Sequence, residues 1–359
     1  MSSPVLQRPY RAALVLMLVC QGAGLLAQEP ASRLLQPTAL DRDIDAAVVR
    51  AVEYLVQQQK PSGGWHLELY NGDATSTTSL SLMALLAAGH TPGDEPYAAT
   101  FRRGIEYLLQ HQQPSGLIVD KTGHGPLYCH GISTLFLAEV VGMAEPDQSV
   151  AVRTALERAV RAILDAQAVR KEQRHRGGWR YTLISNDSDL SVTAWQLLAL
   201  RAAKNAGCDI PAEAIDDAVA YVRRCQPSGR GAGYTYQPGG SISPIMTAAG
   251  VTALQVCAAT DSPEFAGAVR YLATHLPRRD SSYYFYGTYY ASIALHQQGG
   301  DVWEANTNQL FRELLQQQQP DGHWKGMNGA EPPVGPIYAT SLAILALTVE
   351  YGYLPIYQK

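Results

Sequence analysis

Two aspartates separated by one serine, Asp187-Ser188-Asp189, stand where a polar loop gives way to the low-charge run Leu190-Ser191-Val192-Thr193-Ala194-Trp195. A carboxyl placed there can act as a general acid if an apolar pocket and a neighbouring carboxylate raise its pKa enough to retain the proton. The same placement suits a structural task, because acids at a helix start satisfy free backbone N–H groups and complement the macrodipole. On the structural reading Asn186 or Asp187 is the N-cap and Asp189 lies in the first helical turn. Asp189 and Asp187 are the catalytic candidates, with Asp189 as the proton donor.

The aromatic residues supply the second half of a candidate site. Tyr286, Tyr289 and Tyr290 crowd one stretch, and Tyr128, Tyr181, Tyr234 and Tyr338 lie in segments leading into other low-charge runs. Together with Trp195 and His130 they form the expected ligand-binding set, offering π faces to a cation or an apolar chain. Tyrosine hydroxyls serve equally well as hydrogen-bonding groups in helix seams. Twenty tyrosines against five phenylalanines point to a polar-tipped cavity instead of a dry hydrocarbon one.

Other chemistries lack their residues. No Gly-x-Ser-x-Gly elbow, phosphate-binding Gly-Lys-Ser/Thr loop or His-Glu-x-x-His helix occurs. Cys129-His130 lacks the remaining ligands of a zinc site, so neither a metal nor a cofactor is expected. Glu68 and Asp73, near the same predicted rim as Asp187 and Asp189, keep two-carboxylate glycosidase chemistry open.

The elements that position these residues come from a repeated couplet. Ile44, Val48, Ala51, Val52 and Leu55 recur at helical spacing and predict an amphipathic helix, stopped by Pro61 and Gly63. Thr75 to Gly89 follows with almost no charge on any face, as in a helix buried on both sides. Amphipathic helices are expected again at about 97–112, 150–167, 212–226, 262–276 and 303–318, and low-charge helices at about 130–143, 189–206, 244–260, 287–298 and 338–351. That makes six helical hairpins, marked by turns at Pro61-Ser62-Gly63, Pro114-Ser115-Gly116, Gly177-Gly178, Pro227-Ser228-Gly229 and Pro320-Asp321-Gly322. The fifth hairpin has Pro277-Arg278-Arg279 instead. A unit of about 50 residues that cannot bury itself must stack on its neighbours. The first and last hairpins look like the middle ones, without polar capping repeats, so the predicted fold is all-α: a single closed α6/α6 toroid with low-charge helices inside and amphipathic helices outside. An open helical solenoid is the competing architecture.

Residues 1–27 resemble an export signal, with Arg8 and Arg11 before an apolar run from Ala12 to Val19 that is short for a membrane span. Cleavage after Ala27, lipidation at Cys20 and an uncleaved anchor are the alternatives. Residues 28–42 read as a flexible lead-in, and 43–359 as the toroid domain. Losing the leader removes two arginines and no acid, leaving the body more acidic than the −4 of the full chain. That charge excludes nucleic acid as a partner. Cys129, Cys208, Cys225 and Cys257 allow three full pairings or none.

The turns carry a family resemblance. Gln59-Lys60-Pro61-Ser62-Gly63-Gly64-Trp65 and Gln318-Gln319-Pro320-Asp321-Gly322-His323-Trp324 both fit Gln-x-x-x-Gly-x-Trp, and so does Gln173 to Trp179. Gln112 to Gly116 keeps the first half, and Cys225 to Gly229 only the turn. The pattern resembles the repeat of squalene cyclases and prenyltransferase β-subunits over the whole folded body. That resemblance implies an α/α toroid and, at Asp187-Ser188-Asp189-Leu190, the Asp-x-Asp-Asp run whose middle acid protonates a polyene in triterpene cyclases. Leu190 replaces the third acid, and the chain is long enough for one toroid where those cyclases carry two. The Asp-x-Cys zinc pair of protein prenyltransferases and the Cys-Gly-Glu-Gln run of complement-type toroids are absent. The expected function is an exported toroid that binds an apolar, isoprenoid-like small molecule, with acid-initiated cyclase-like activity and with membrane contact left open. A non-catalytic binding or scaffold toroid for a protein or glycan is the alternative.

Overall fold

The computed structural model describes residues 37–120, 125–227 and 232–358. The expected export signal, most of the lead-in and Ser228-Gly229 of the fourth turn lie outside those residues. The lead-in ends earlier than residue 42, because Thr38 forms a reciprocal capping box with Asp41 and starts a helix at Ala39.

Twelve α-helices alternate among the described residues. The outer set is α1 Ala39–Gln58, α3 Ala98–Gln110, α5 Pro146–Ala168, α7 Ala212–Arg224, α9 Pro263–Thr274 and α11 Gly300–Leu315. The inner set is α2 Thr75–Ala87, α4 Pro126–Val140, α6 Leu190–Asn205, α8 Pro244–Val256, α10 Tyr284–Gln298 and α12 Pro336–Leu347. Outer helices bury one stripe, as α1 does with Ile44, Ala47, Val48, Ala51, Val52 and Leu55. Inner helices are buried nearly all round: α12 hides every residue from Ala339 to Leu347. Each inner helix packs on the next, α2 to α4, α6, α8, α10 and α12, and α12 packs back on α2. The α/α ring is closed. Small side chains permit that close approach, with Ser79 bonded to Ser133 (3.0 Å) and Ser81 to Ser341 (3.3 Å) across neighbouring inner helices.

The repeated turns tie the outer ring together. Each motif glutamine donates from Nε2 to its own turn and to the next outer helix: Gln59 to Gly63 O and Thr100 O, Gln112 to Gly116 O and Ala155 O, Gln226 to Ala232 O and Glu264 O. Gln318 donates to Gly322 O and to Ala47 O of α1, which closes the circle. In the third hairpin this glutamine is Gln167, bonded to Gly177 O and Ala214 O, and not Gln173. Extra residues between α5 and Gly177 separate it from its glycine in sequence and hide the match. Gly177 (φ +86°) must be glycine, since a Cβ there would lie 2.1 Å from the Asp217 carbonyl of α7.

Candidate functional site

One hydrogen bond recurs in each marked hairpin and gives the frame for the site. The backbone N–H at the motif's aromatic position donates to a side chain early in the following inner helix. Trp65 donates to Thr78 Oγ1 (3.0 Å), Trp179 to Thr193 Oγ1 (3.0 Å) and Trp324 to Thr340 Oγ1 (2.9 Å). Tyr234 donates in the same way to Thr247 Oγ1 (2.9 Å), and Ile118 to His130 Nδ1 (3.0 Å). Tyr234 and His130, both expected to bind ligand, therefore occupy scaffold positions. Tyr234 is fully buried in the place of the repeat's tryptophan. The Nε2 of His130 meets the Ala159 carbonyl at 3.1 Å, so backbone groups engage both ring nitrogens, and burial pushes its pKa down to about 4. His130 therefore offers a ligand no free ring nitrogen.

Four residues before each of those acceptors the chain enters an inner helix, and the five hairpins place Ala74, Pro126, Asp189, Ser243 and Pro336 there. Only the third carries an acid. Asp189 N–H donates to Trp179 O (2.9 Å), which pins the residue to the repeat's turn. Asp189 is itself the N-cap of α6, in place of the expected Asn186 or Asp187. Its Oδ1 accepts from Val192 N (2.9 Å) and Ser191 Oγ (2.7 Å). Its Oδ2 is buried without a hydrogen-bond partner, the one carboxylate oxygen so placed among the described residues. The Arg180 Nε stands 3.7 Å away.

Burial raises the Asp189 pKa, opposed by the Val192 and Ser191 bonds, by Arg180 and by the nearby Tyr236 hydroxyl, which lies outside hydrogen-bond geometry with Oδ2. The cause is desolvation and not a neighbouring carboxylate. Asp187 turns outward and pairs with Arg180 NH1 at 3.2 Å. The arginine is thus held between the two acids, with its guanidinium carbon 4.6 Å from the Tyr181 ring centre and 5.6 Å from that of Tyr236.

The tyrosines separate into two layers. Tyr128, Tyr181, Tyr236 and Tyr338 are partly exposed around the mouth of the inner barrel. The Tyr128 hydroxyl bonds to Ser191 Oγ, and Tyr181 bonds to Tyr236 hydroxyl to hydroxyl at 2.5 Å. Beneath them Tyr286, Tyr289, Tyr290 and Trp195 are buried and packed on one another. Trp195 stacks on Tyr289 (5.6 Å), and Tyr286 meets Tyr290 edge to face (4.9 Å). The Tyr286 hydroxyl reaches Ser191 O at 3.5 Å, linking the buried layer to the acid's own helix turn. This arrangement sets a carboxyl oxygen without a hydrogen-bond partner between a rim of partly exposed tyrosines and a buried aromatic cluster.

Arg180, Ser191 and Tyr236 belong to this site and were not singled out from the sequence. Tyr236 was legible in principle: it lies two residues beyond the repeat aromatic Tyr234, as Tyr181 lies two beyond Trp179. Cys129, Cys208, Cys225 and Cys257 are free thiols. Among the described residues no group of three or more His, Cys, Asp and Glu side chains gathers as metal ligands, and no helix is long and apolar enough to cross a membrane.

No family model matches the chain. A segment is 31% identical over 91 residues to lanosterol synthase of Candida albicans, covering 23% of this chain and 12% of that enzyme. The toroid superimposes on a single-residue variant of the type II terpene cyclase MstE of Scytonema in complex with geranylgeranyl dihydroxybenzoate, with a TM-score of 0.57 and 16% identity over 87% of this chain and 98% of that one. It is similar also to a cellobiose 2-epimerase of Bacillus thermoamylovorans, with a TM-score of 0.63 and 10% identity over 86% and 99% of the two chains. The chain has the α/α-toroid fold that these structures share.

Proposed function

We propose that this toroid binds an isoprenoid-like chain at the Asp189 rim and starts its cyclisation by protonating a double bond. The observation that carries the reading is Asp189: a buried carboxyl with one oxygen fixed by Val192 and Ser191 and the other without a hydrogen-bond partner, 3.7 Å from Arg180 Nε. Burial favours the protonated acid, and the helix start and Arg180 accept the charge once the proton leaves. In the step, the Oδ2–H bond breaks and a C–H bond forms at the less substituted alkene carbon. The tertiary cation so made is attacked by the next double bond under the faces of Tyr286 and Trp195. Loss of a proton from the cyclised cation to the carboxylate restores the acid. MstE and lanosterol synthase are similar proteins whose names fit this chemistry.

A second reading rests on Arg180, which at 3.7 Å from Oδ2 stabilises the ionised form. On it the toroid binds its ligand without converting it. Incubating the protein with farnesol and geranylgeraniol and analysing the organic extract distinguishes the two. Cyclic products that vanish in Asp189→Asn support the acid. A linear alcohol bound equally by both proteins and returned unchanged supports the binding toroid. Absence of both binding and products removes the isoprenoid reading altogether. We also propose that residues 1–27 direct export, which N-terminal sequencing of the protein from its native host tests.

A further inference from the structure

The glutamine bonds of the outer ring keep one register. The carbonyls that accept them, of Ala47, Thr100, Ala155 and Ala214, each lie twelve residues before the glutamine of their own hairpin, Gln59, Gln112, Gln167 and Gln226. Twelve residues on from Glu264, the acceptor on α9, stands Leu276, and twelve back from Gln318 stands Asn306 on α11. Leucine thus occupies the glutamine position of the fifth hairpin. Its side chain has no donor, so among the described residues the Asn306 carbonyl lacks the bond that its five counterparts accept. Asn306 turns its own carboxamide back to Val302 O (2.8 Å).

The turn is altered at the matching place. Gly63, Gly116 and Gly322 follow their glutamines by four residues and lie against the carbonyls of Arg103, Arg158 and Arg50, where a Cβ would stand 2.2, 2.3 and 2.4 Å from the oxygen. The fifth hairpin has Asp280 at that position, and Gln309, three residues beyond Asn306, opposite it. A residue with a Cβ cannot make so close an approach. Asp280 pairs with Arg278 at 3.2 Å instead.

An open cavity of about 820 Å³ fills this seam, and Leu276, Asp280, Asn306 and Gln309, the four positions of the missing staple, all line it. Its volume falls in the range of about 300–1,000 Å³ typical of ligand sites. The charges around it balance, Arg278 and Arg279 against Asp280 and Glu313, so it does not select a polyanion. What it offers is hydrogen bonding in the geometry that a glutamine-bearing turn satisfies in the other five seams.

We infer that the gap between α9 and α11 is a docking site for a surface turn of a partner protein, in which a glutamine is followed four residues later by glycine. The glutamine carboxamide donates to Asn306 O, and the glycine lets the partner's backbone come close to Gln309 O. This inference is independent of the reaction at Asp189.

The test is fluorescence anisotropy with a labelled, end-blocked peptide that copies the chain's own sixth turn, Gln318 to Trp324, titrated with the whole protein. Wild type is expected to bind it with a Kd of about 10⁻⁴ M. The same peptide carrying Gln318→Ala should bind about five- to tenfold more weakly. In the protein, Leu276→Gln supplies the carboxamide from within the chain and should weaken the unmodified peptide by about tenfold or more. Gln309→Trp, an exposed position on α11 that tolerates a large side chain, obstructs the cavity and should do the same without relying on Leu276→Gln to fold. It also separates this seam from the sixth, whose own turn the peptide copies. No saturable binding to wild type, equal affinity for the two peptides, or full binding to Gln309→Trp overturns the inference.

Discussion

Asp189 and Glu331 are both buried carboxylates at the start of an inner helix, and their oxygens are used differently. Glu331 reaches α10 from the loop before α12, and its two oxygens accept from the N–H groups of Phe285 and Tyr286, each at 3.1 Å. Every lone-pair direction that matters there is spent on ordering the tyrosine-bearing helix. Asp189 caps its own helix with one oxygen and leaves the other unbonded. The difference shows how a toroid can carry acids at several helix ends and yet have one positioned for chemistry: what counts is the oxygen that the scaffold does not need.

The largest effect should separate the two acids by function. Asp189→Asn keeps the cap but removes the donatable proton, and is expected to lower turnover of a linear isoprenoid by about 10² to 10⁴. Glu331→Gln keeps an acceptor at the same place and should leave turnover within about tenfold of wild type. Product quantification by gas chromatography checks both, and equal losses in the two variants would erase the distinction drawn between them.

Stability should reverse the ranking. Glu331→Ala strands two buried N–H donors at the start of α10 and is expected to cost about 2–4 kcal/mol. Asp189→Asn should leave stability unchanged or raise it slightly, because asparagine caps helices well and an acid that burial keeps protonated contributes no charge at the helix start. Urea denaturation of both variants measures this.

A pH series sharpens the comparison. Burial raises Glu331 from its ordinary value of 4.5 to about 7, and Glu139 from 4.5 to about 8. A raised carboxyl favours folding while it stays protonated, so these contributions are whole below about pH 4.5 and are lost as the pH rises through about 7 and 8. Stability should fall across that window with a slope approaching about 1.4 kcal/mol per pH unit for each group. Glu139→Gln and Glu331→Gln should each flatten the slope, as read from denaturation midpoints at pH 5, 6, 7 and 8.

The smallest effect concerns the ring that carries both acids. Gln318→Ala removes three bonds, one to its own turn and two to Ala47 and Arg50 of α1, and is expected to cost about 1–2 kcal/mol. Gln59→Ala, which removes the equivalent three bonds between the first two hairpins, should cost the same within about 0.5 kcal/mol. A much smaller loss for Gln318→Ala would mean that the closing seam is looser than the others.

The amino-acid sequence determined the hairpins and their alternation, because helical spacing of apolar residues and the absence of charge along the inner helices are local properties that repeat along the chain. It also marked Asp189, since an acid at the start of such a helix is visible in any reading. The role of its neighbours is a matter of tertiary structure. Tyr234 and His130 look like rim residues in sequence and are scaffold in space, because the repeat substitutes them for a tryptophan and a threonine. Arg180, Ser191 and Tyr236 gather around Asp189 only after Trp179 N–H and O pair with α6 and the fourth hairpin packs beside the third. Tyr357 reaches Tyr289 across 68 residues of chain. Periodicity encodes which face of an element is buried; which oxygen remains without a partner depends on the distances between elements, and those exist only once the ring has closed.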